Sequence, residues 1–316
     1  LGLYLAAGGR QTPVQIRAGP PLCLCCVNTL KTRSLGVDMA PLQRQSMRQG
    51  HALSMVTLLL TVLLLPMVNG ADSTVSTNTT WSGDMVLSGN VTVASGATLT
   101  VSPGTTVDAR DYAIIVEGTL MAEQASFFST IVPETQGSHG QGLWPGIVVE
   151  VGGQANLTEV SVANASAGVL VRGDFNGTDV VFNDAYRGLS VMGGEAVITG
   201  FEANRMDYEA VYVETGTLDF TGGAATEVAV GLANHGTATV AEFNVHEAGV
   251  GVQSYDGSLD ITDLGVYNAS VGFATASGAS SLVHTFSGTG LALAIDAGDA
   301  DDFVVNTAHL NGERMV

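Results

Sequence analysis

The chain has 316 residues, of which 46% are hydrophobic and 13% charged, and it contains 40 glycines. This apolar content excludes a disordered chain, and so few charges among so many glycines exclude a coiled coil. The formal net charge of −19 argues against nucleic acid and anionic membrane surfaces as partners, because both are bound through clustered Lys and Arg.

Residues 1–70 differ in charge from the rest of the chain. They hold six of the 11 basic residues and one of the 30 acids, so residues 71–316 carry a net charge of −24 and no lysine. Residues 1–38 resemble neither a domain nor a leader, and we interpret them as unstructured upstream translation. Residues 39–70 have the layout of a signal peptide, with basic residues after Met39, an apolar run and small residues at the end. This layout predicts a secreted or cell-surface protein; an uncleaved N-terminal anchor is the alternative.

The three cysteines lie in the first segment, and no second cysteine pair or nearby histidine completes a metal site around Cys23, Cys25 and Cys26. The folded part therefore needs no disulfide. Six Asn-x-Ser/Thr sequons follow the signal-like tract and predict a glycoprotein, unless Ser/Thr/Asn-rich composition alone produces them. They are Asn78, Asn90, Asn156, Asn164, Asn176 and Asn268.

Beyond the tract we expect a linker over 71–80, N-terminal coils and a loop over 81–143, and regular coils over 144–316. Eight glycines recur in the regular region at a nearly constant spacing: Gly153, Gly173, Gly194, Gly216, Gly236, Gly257, Gly278 and Gly298. Short alternating apolar segments lie between them, which are typical of strands and too short for helices. A repeat of about 21 residues with two or three strands is too little for a propeller blade, which needs roughly 40, and fits one coil of a parallel β-solenoid.

About two coils are expected before Trp144 and about eight from it onward. Alignment on the glycines also predicts contacts between coils. Arg205 falls at the same offset as Asp184 and Glu227, Arg187 falls opposite Glu209, and Asn183 stacks on Asn204. Solenoids need capped ends, and no cap precedes Val316, so we expect the natural protein to continue further.

Five segments carry a resemblance to a known family. They begin at Trp81 (WSGD), Leu87 (LSGNVTV), Gly96 (GATLTVSPGTTV), Val116 (VEGTL) and Trp144 (WPGI). These segments resemble the opening coils of secreted right-handed parallel β-helix proteins of the pectate-lyase-like superfamily. The resemblance implies an all-β, right-handed parallel β-helix and export. Its members include polysaccharide lyases, hydrolases and esterases as well as surface proteins without known activity, so it does not settle function.

The catalytic patterns of such enzymes are incomplete here. Lyases of this type use an Arg or Lys base beside Ca²⁺, but no lysine is present after residue 70, Arg187 and Arg205 are matched with acids, and Arg172 has Asp174 close by. The four polygalacturonase-like motifs are matched only by the pair Asp301 and Asp302. We therefore expect no catalytic residues.

One cluster could bind a metal ion. Four carboxylates close together in the sequence suit Ca²⁺, although the cluster lacks the order of an EF-hand, and a solvated acidic turn is the alternative. The four are Asp296, Asp299, Asp301 and Asp302. The histidines are scattered over different offsets, and no other cofactor is indicated.

These observations predict a secreted or cell-surface β-helix with a structural or recognition role and no catalysis. The expected partners are glycans or neighbouring cell-surface components, with no membrane contact beyond the signal or anchor segment. The alternative is a polysaccharide-active lyase or glycoside hydrolase of the same fold.

Overall fold

The computed structural model describes residues 71–131, 144–276, 278–289 and 302–311. In these ranges every regular element is a β-strand, and every strand pairing is parallel. No described helix is long and apolar enough to cross a membrane. The segments predicted as upstream translation and signal peptide, and with them the cysteines, lie outside the described residues.

Twenty strands follow one another. They are β1 (Ser73–Val75), β2 (Thr79–Trp81), β3 (Asp84–Val86), β4 (Val91–Val93), β5 (Thr98–Val101), β6 (Thr106–Asp108), β7 (Ile114–Val116), β8 (Thr119–Glu123), β9 (Ser126–Phe128), β10 (Ile147–Val149), β11 (Gln154–Thr158), β12 (Ser161–Ala163), β13 (Ala167–Val171), β14 (Asp174–Asn183), β15 (Arg187–Asn234), β16 (Thr237–Ser254), β17 (Ser258–Tyr267), β18 (Val271–Thr275), β19 (Ser280–Thr289) and β20 (Asp302–Asn311).

The strands form three ladders. Ladder A runs from β1 through β4, β7, β10 and β13 into segments of β15, β16 and β18. Ladder B begins with β2, β5, β8 and β11, and ladder C with β3, β6, β9 and β12; both continue through segments of β14 to β17 into β19 and β20. In ladder B, Gln154 pairs with Asp174 and Thr237 with Ser258, so each rung lies one repeat beyond the last. The prediction of an all-β parallel β-helix, with about ten coils at the period of the glycines, is confirmed.

The first coil begins earlier than expected. Residues 71–80, expected to be a linker, contain β1 and the start of β2, and β1 pairs with β4. Three coils therefore precede Trp144, not two: β1 to β3, β4 to β6, and β7 to β9. The first coil was not predicted from the sequence because β1 carries only one apolar side chain, Val75, which is half-buried.

The glycine column has a structural cause, which Gly194 illustrates. A Cβ atom at Gly194 would collide with the backbone carbonyl of Gly173 in the coil before it. The column extends back to Gly118, because Thr119 pairs with Gln154. Gly278 does not belong to the column. Because Ser258 pairs with Ser280, the residue that follows Gly257 in the column is Ala279, and this corner contains one extra residue. Gly298 lies outside the described residues.

Apolar columns inside the coils form the core. The last inward position of each ladder A rung is valine in six successive coils, and all six valines are fully buried: Val93, Val116, Val149, Val171, Val191 and Val213. Between ladders B and C, phenylalanine rings from successive coils pack with centroids 5.2–5.5 Å apart: Phe182, Phe201, Phe220 and Phe243.

From Asn164 onward, a sharp bend separates ladder C from ladder A in six successive coils. One non-glycine residue there has a φ of 52–57°, in the left-handed region. These bend residues are Asn164, Asp184, Arg205, Glu227, Glu247 and Asn268. Tyr186 and Tyr208 follow the bend closely in the sequence, so their rings emerge on the surface beside ladder A.

Candidate functional site

Aromatic side chains from successive coils meet on the outer surface beside ladder A. The rings of Tyr186 and Tyr208 stack with centroids 5.6 Å apart and an interplanar angle of 14°. His235 stacks on Tyr255 at 4.0 Å and 7°, and its ring meets Tyr212 edge-on at 5.9 Å. We call this surface the tyrosine platform and define it as Tyr186, Arg187, Tyr208, Glu209, Tyr212, His235 and Tyr255.

The centre of the platform is an arginine held by a carboxylate and three rings. Arg187 Nε lies 2.6 Å from Glu209 Oε2, and its guanidinium carbon is 4.1 Å from the centroid of the Tyr212 ring. The other two rings, of Tyr208 and Tyr186, lie at 5.6 Å and 5.7 Å. Cation–π attraction and a charge-assisted hydrogen bond together fix the guanidinium, which in turn orders the tyrosines.

Burial raises the pKa of two side chains of the platform, Glu209 and Tyr255. The Glu209 side chain is only 6% exposed. Burial raises the pKa of Glu209, and the hydrogen bond and charge of Arg187 oppose this only in part. Burial likewise raises the pKa of Tyr255, and the neighbouring Tyr208 and Glu209 add to the shift. Shifted pKa values in neighbouring side chains are typical of functional sites and also of structural ion pairs.

A trough adjoins the platform at the corner between ladders A and B. It has a volume of about 470 Å³ and a floor of column glycines. Hydroxyl residues line it at Thr215, Thr237, Ser258 and Ser280. His235 and Asp256 belong to its wall, and His235 Nδ1 lies 2.8 Å from Asp256 Oδ1. We call it the glycine trough.

The arrangement combines apolar ring faces with polar groups. Aromatic side chains provide flat contact area at low entropic cost, and the hydroxyls of tyrosine, serine and threonine supply donors and acceptors. The one arginine of the platform is compensated by Glu209, and Asp256 adds a further acid. The site therefore suits a polar ligand that has apolar faces and no negative charge.

The raised pKa of Glu209 predicts a pH-dependent stability. A carboxyl group whose folded pKa exceeds its unfolded value, ordinarily 4.5, stabilises the fold fully below that value and loses the contribution as pH rises through the folded pKa. We expect the unfolding free energy of the wild type, minus that of Glu209→Gln, to fall as the pH rises above about 4.5. Urea denaturation of both proteins over this range measures it. A difference that grows with pH would mean that Arg187 outweighs burial.

The residues predicted to pair between coils lie as follows. Arg205 Nε is 2.6 Å from Asp184 Oδ1. This hydrogen bond and the charge of Asp184 raise the pKa of Arg205, and the charge of Glu227 adds a weaker effect. The amides of Asn204 and Asn183 are 3.2 Å apart.

Arg172 has a different partner from the acid expected beside it. Its Nη1 lies 2.7 Å from Glu150 Oε1 in the preceding coil. Asp174, which is close in sequence, begins β14 beyond the corner glycine.

Several sequon amides take part in contacts between coils. Asn78 and Asn90 accept hydrogen bonds from backbone amides of Thr98 and Ala113. The amides of Asn156 and Asn176 lie 3.2 Å apart. Asn164 donates to the carbonyl of Ser129, and Asn268 is exposed at its bend. Glycosylation at these positions stays a prediction.

The predicted calcium cluster falls mostly outside the described residues; only Asp302 is included, and its backbone pairs with Ser280. Within the described ranges, no three His, Cys, Asp or Glu residues are grouped so that they could hold a metal ion. His246 stacks on Tyr267 at 4.8 Å, and His284 Nε2 lies 3.1 Å from Asp260 Oδ1.

The sequence contains one signal for the platform. Four of the seven tyrosines are those of the platform, and Tyr186 and Tyr208 are one coil apart. The alignment that pairs Arg187 with Glu209 also places Tyr186 opposite Tyr208, but it does not indicate that Tyr212, His235 and Tyr255 lie beside them.

No protein-family model matches the sequence, and no curated protein is similar to it. Two similar solved structures are the periplasmic alginate epimerase AlgG and the Streptococcus pneumoniae surface protein and adhesin PfbA. The first is 10% identical with a TM-score of 0.44, covering 73% of this chain and 78% of that one. The second is 9% identical with a TM-score of 0.42, covering 77% and 90%. Neither likeness bears on what the present chain binds.

Proposed function

We propose that this chain is a secreted or cell-surface recognition module that binds a neutral glycan on the tyrosine platform without catalysis. One observation carries the proposal: four tyrosines and a histidine from successive coils form one continuous outer surface around a neutralised arginine. The signal-like tract supports export.

The chemistry of the platform favours a saccharide. Pyranose rings present apolar C–H faces that pack on aromatic rings, and their hydroxyls need the donors and acceptors of the adjoining trough. Tyr212 and Tyr255, on either side of His235, supply ring faces and phenol groups. The strong negative charge of residues 71–316 disfavours an acidic polysaccharide, because like charges repel at close range.

A polysaccharide-active enzyme is the second candidate, and one contact favours it. His235 Nδ1 is hydrogen-bonded to Asp256, so Nε2 is the ring nitrogen that would exchange a proton with a substrate. The nearby Glu209 has a raised pKa. An oriented imidazole and a protonatable carboxyl are the groups that acid–base catalysis uses.

Binding of glycans by single-site variants tests the proposal. The probes are oligosaccharides of β-1,4-glucan, β-1,4-mannan and xylan, with polygalacturonate as the acidic probe, measured by calorimetry. We expect a neutral probe to bind, and Tyr255→Ala to weaken its binding by about tenfold or more, since aromatic residues dominate such interfaces.

Tyr267→Ala is the matched control, because Tyr267 also stacks on a histidine but lies on ladder C. It should leave binding unchanged. Equal losses in both variants, or no binding of any neutral probe by the wild type, would contradict the proposal. Release of reducing ends or unsaturated products that His235→Ala abolishes would establish the enzyme instead.

A further inference from the structure

The inward column of ladder A changes character in three consecutive coils. After six buried valines that end at Val213, the same position holds Asn234, Ser254 and Thr275, as the backbone pairing shows. These three side chains are as buried as the valines, with exposures of 0%, 0% and 2%. A polar run inside an otherwise apolar column needs hydrogen-bonding partners in the core.

Ladder B changes at the same corner. Ser281 pairs with Leu259 and takes a position that is leucine in the coil before it, yet it is 2% exposed. Its hydroxyl donates to Ser254 Oγ at 2.9 Å. Two small polar side chains thus meet in the core, in a column that is valine up to Val213 and in one that is leucine at Leu259.

The protein satisfies only part of this cluster. Asn234 Nδ2 lies 3.3 Å from the carbonyl oxygen of Gly236 and 3.1 Å from that of Ser258, both in residues that line the glycine trough. Asn234 Oδ1 and Thr275 Oγ1 have no protein partner within the described part of the chain, although both are buried. Buried oxygen atoms without a partner are rare, and ordered water usually supplies the missing hydrogen bond.

We propose that two buried water molecules are bound at this corner. One bridges Asn234 Oδ1 and the Ser254–Ser281 hydroxyl pair, and the other bridges that pair and Thr275 Oγ1. Each water has at least two polar partners, as buried waters require. Among the described residues, a cation would find only neutral oxygen atoms here and no compensating carboxylate, so water is the occupant that the chemistry fits. This site is independent of the proposed glycan function.

The substitution Thr275→Val decides the question by its sign. Valine has the same shape, so a hydroxyl without water would be no loss, and its removal would leave the melting temperature unchanged or raise it. A hydroxyl bonded to water gives the opposite result, and we expect the melting temperature to fall by about 2–4 °C. An unchanged or raised melting temperature would overturn the proposal.

Thr105→Val is the matched control. Thr105 is 1% exposed and its hydroxyl also has no partner among the described residues. Its counterpart in the next coil is the apolar Ala125, because Thr106 pairs with Ser126, so no second polar side chain adjoins it there. We expect this variant not to lower the melting temperature. A crystal structure of the wild type at atomic resolution gives the second measurement, and density for neither water would reject the site even if Thr275→Val failed to fold.

Discussion

Replacement of Phe220 by alanine is expected to lower the free energy of unfolding by about 3–5 kcal/mol. Phe220 is 2% exposed and lies edge-on to Phe201 and Phe243, with ring centroids 5.3 Å and 5.2 Å away. The loss combines the transfer of the ring to water with the cavity that it leaves. Backbone pairing holds the coils above and below at a fixed spacing, so the cavity cannot close by collapse.

Urea denaturation followed by circular dichroism measures this loss. Phe220→Leu keeps most of the volume and should cost less than about 1.5 kcal/mol. Val197→Ala is the surface control, since Val197 is 36% exposed, and it should change stability by less than about 0.5 kcal/mol. If Phe220→Ala cost less than about 1 kcal/mol, the phenylalanine stack would have to be a layer that repacks freely.

Arg187→Met should destabilise the protein by about 2–3 kcal/mol and disorder the tyrosine platform. The substitution leaves the Glu209 carboxylate, only 6% exposed, without its cationic partner. Breaking a fully buried pair costs about 3–5 kcal/mol, and the 25% exposure of the Arg187 side chain reduces that figure. Because the guanidinium also contacts three tyrosine rings, glycan binding should weaken together with stability.

Two variants isolate the cause. Arg172→Met removes an ion pair of similar length, 2.7 Å, whose partners are 42% and 34% exposed, so it should cost at most about 1 kcal/mol. The double variant Arg187→Met with Glu209→Gln removes the stranded charge and should recover much of the lost stability. Equal costs for Arg187→Met and Arg172→Met would contradict a buried, platform-forming role for Arg187.

The fold was predictable because the geometry of each coil restricts which residue types can occupy its corners and its inward positions. A column such as Gly153 to Gly257 must be glycine where coils approach closely, and the valine column must be apolar because it faces the core. Both columns therefore recur visibly at the coil period. The first coil was not predicted because its strands are short and mostly exposed, as at Ser73–Val75, and therefore carry no periodic apolar pattern.

The tyrosine platform was not predictable in the same way. Outward side chains are not constrained by the core, so the platform tyrosines do not recur in every coil as the valines do. The bend also lengthens locally, because the path from Asn204 to Val211 is one residue longer than the path from Asn183 to Leu189. Counted from the preceding column glycine, this extra residue shifts Tyr208 out of the offset of Tyr186. Counted back from the following column glycine, both tyrosines precede it by eight residues, and their rings stack in space. Only the three-dimensional arrangement joins this pair to Tyr212, His235 and Tyr255.

The three ladders determine which changes of length the protein can absorb. Each rung touches only the rungs beside it, so adding or removing an entire coil far from the platform would alter the reach of the molecule while every other contact stayed the same. One residue added within a rung would instead turn the core side chains outward from that point. Among the described residues, single-residue insertions lie at corners, for example near Ala279, before Val211 and at Gly193. For this architecture a whole extra coil is a smaller perturbation than a single extra residue.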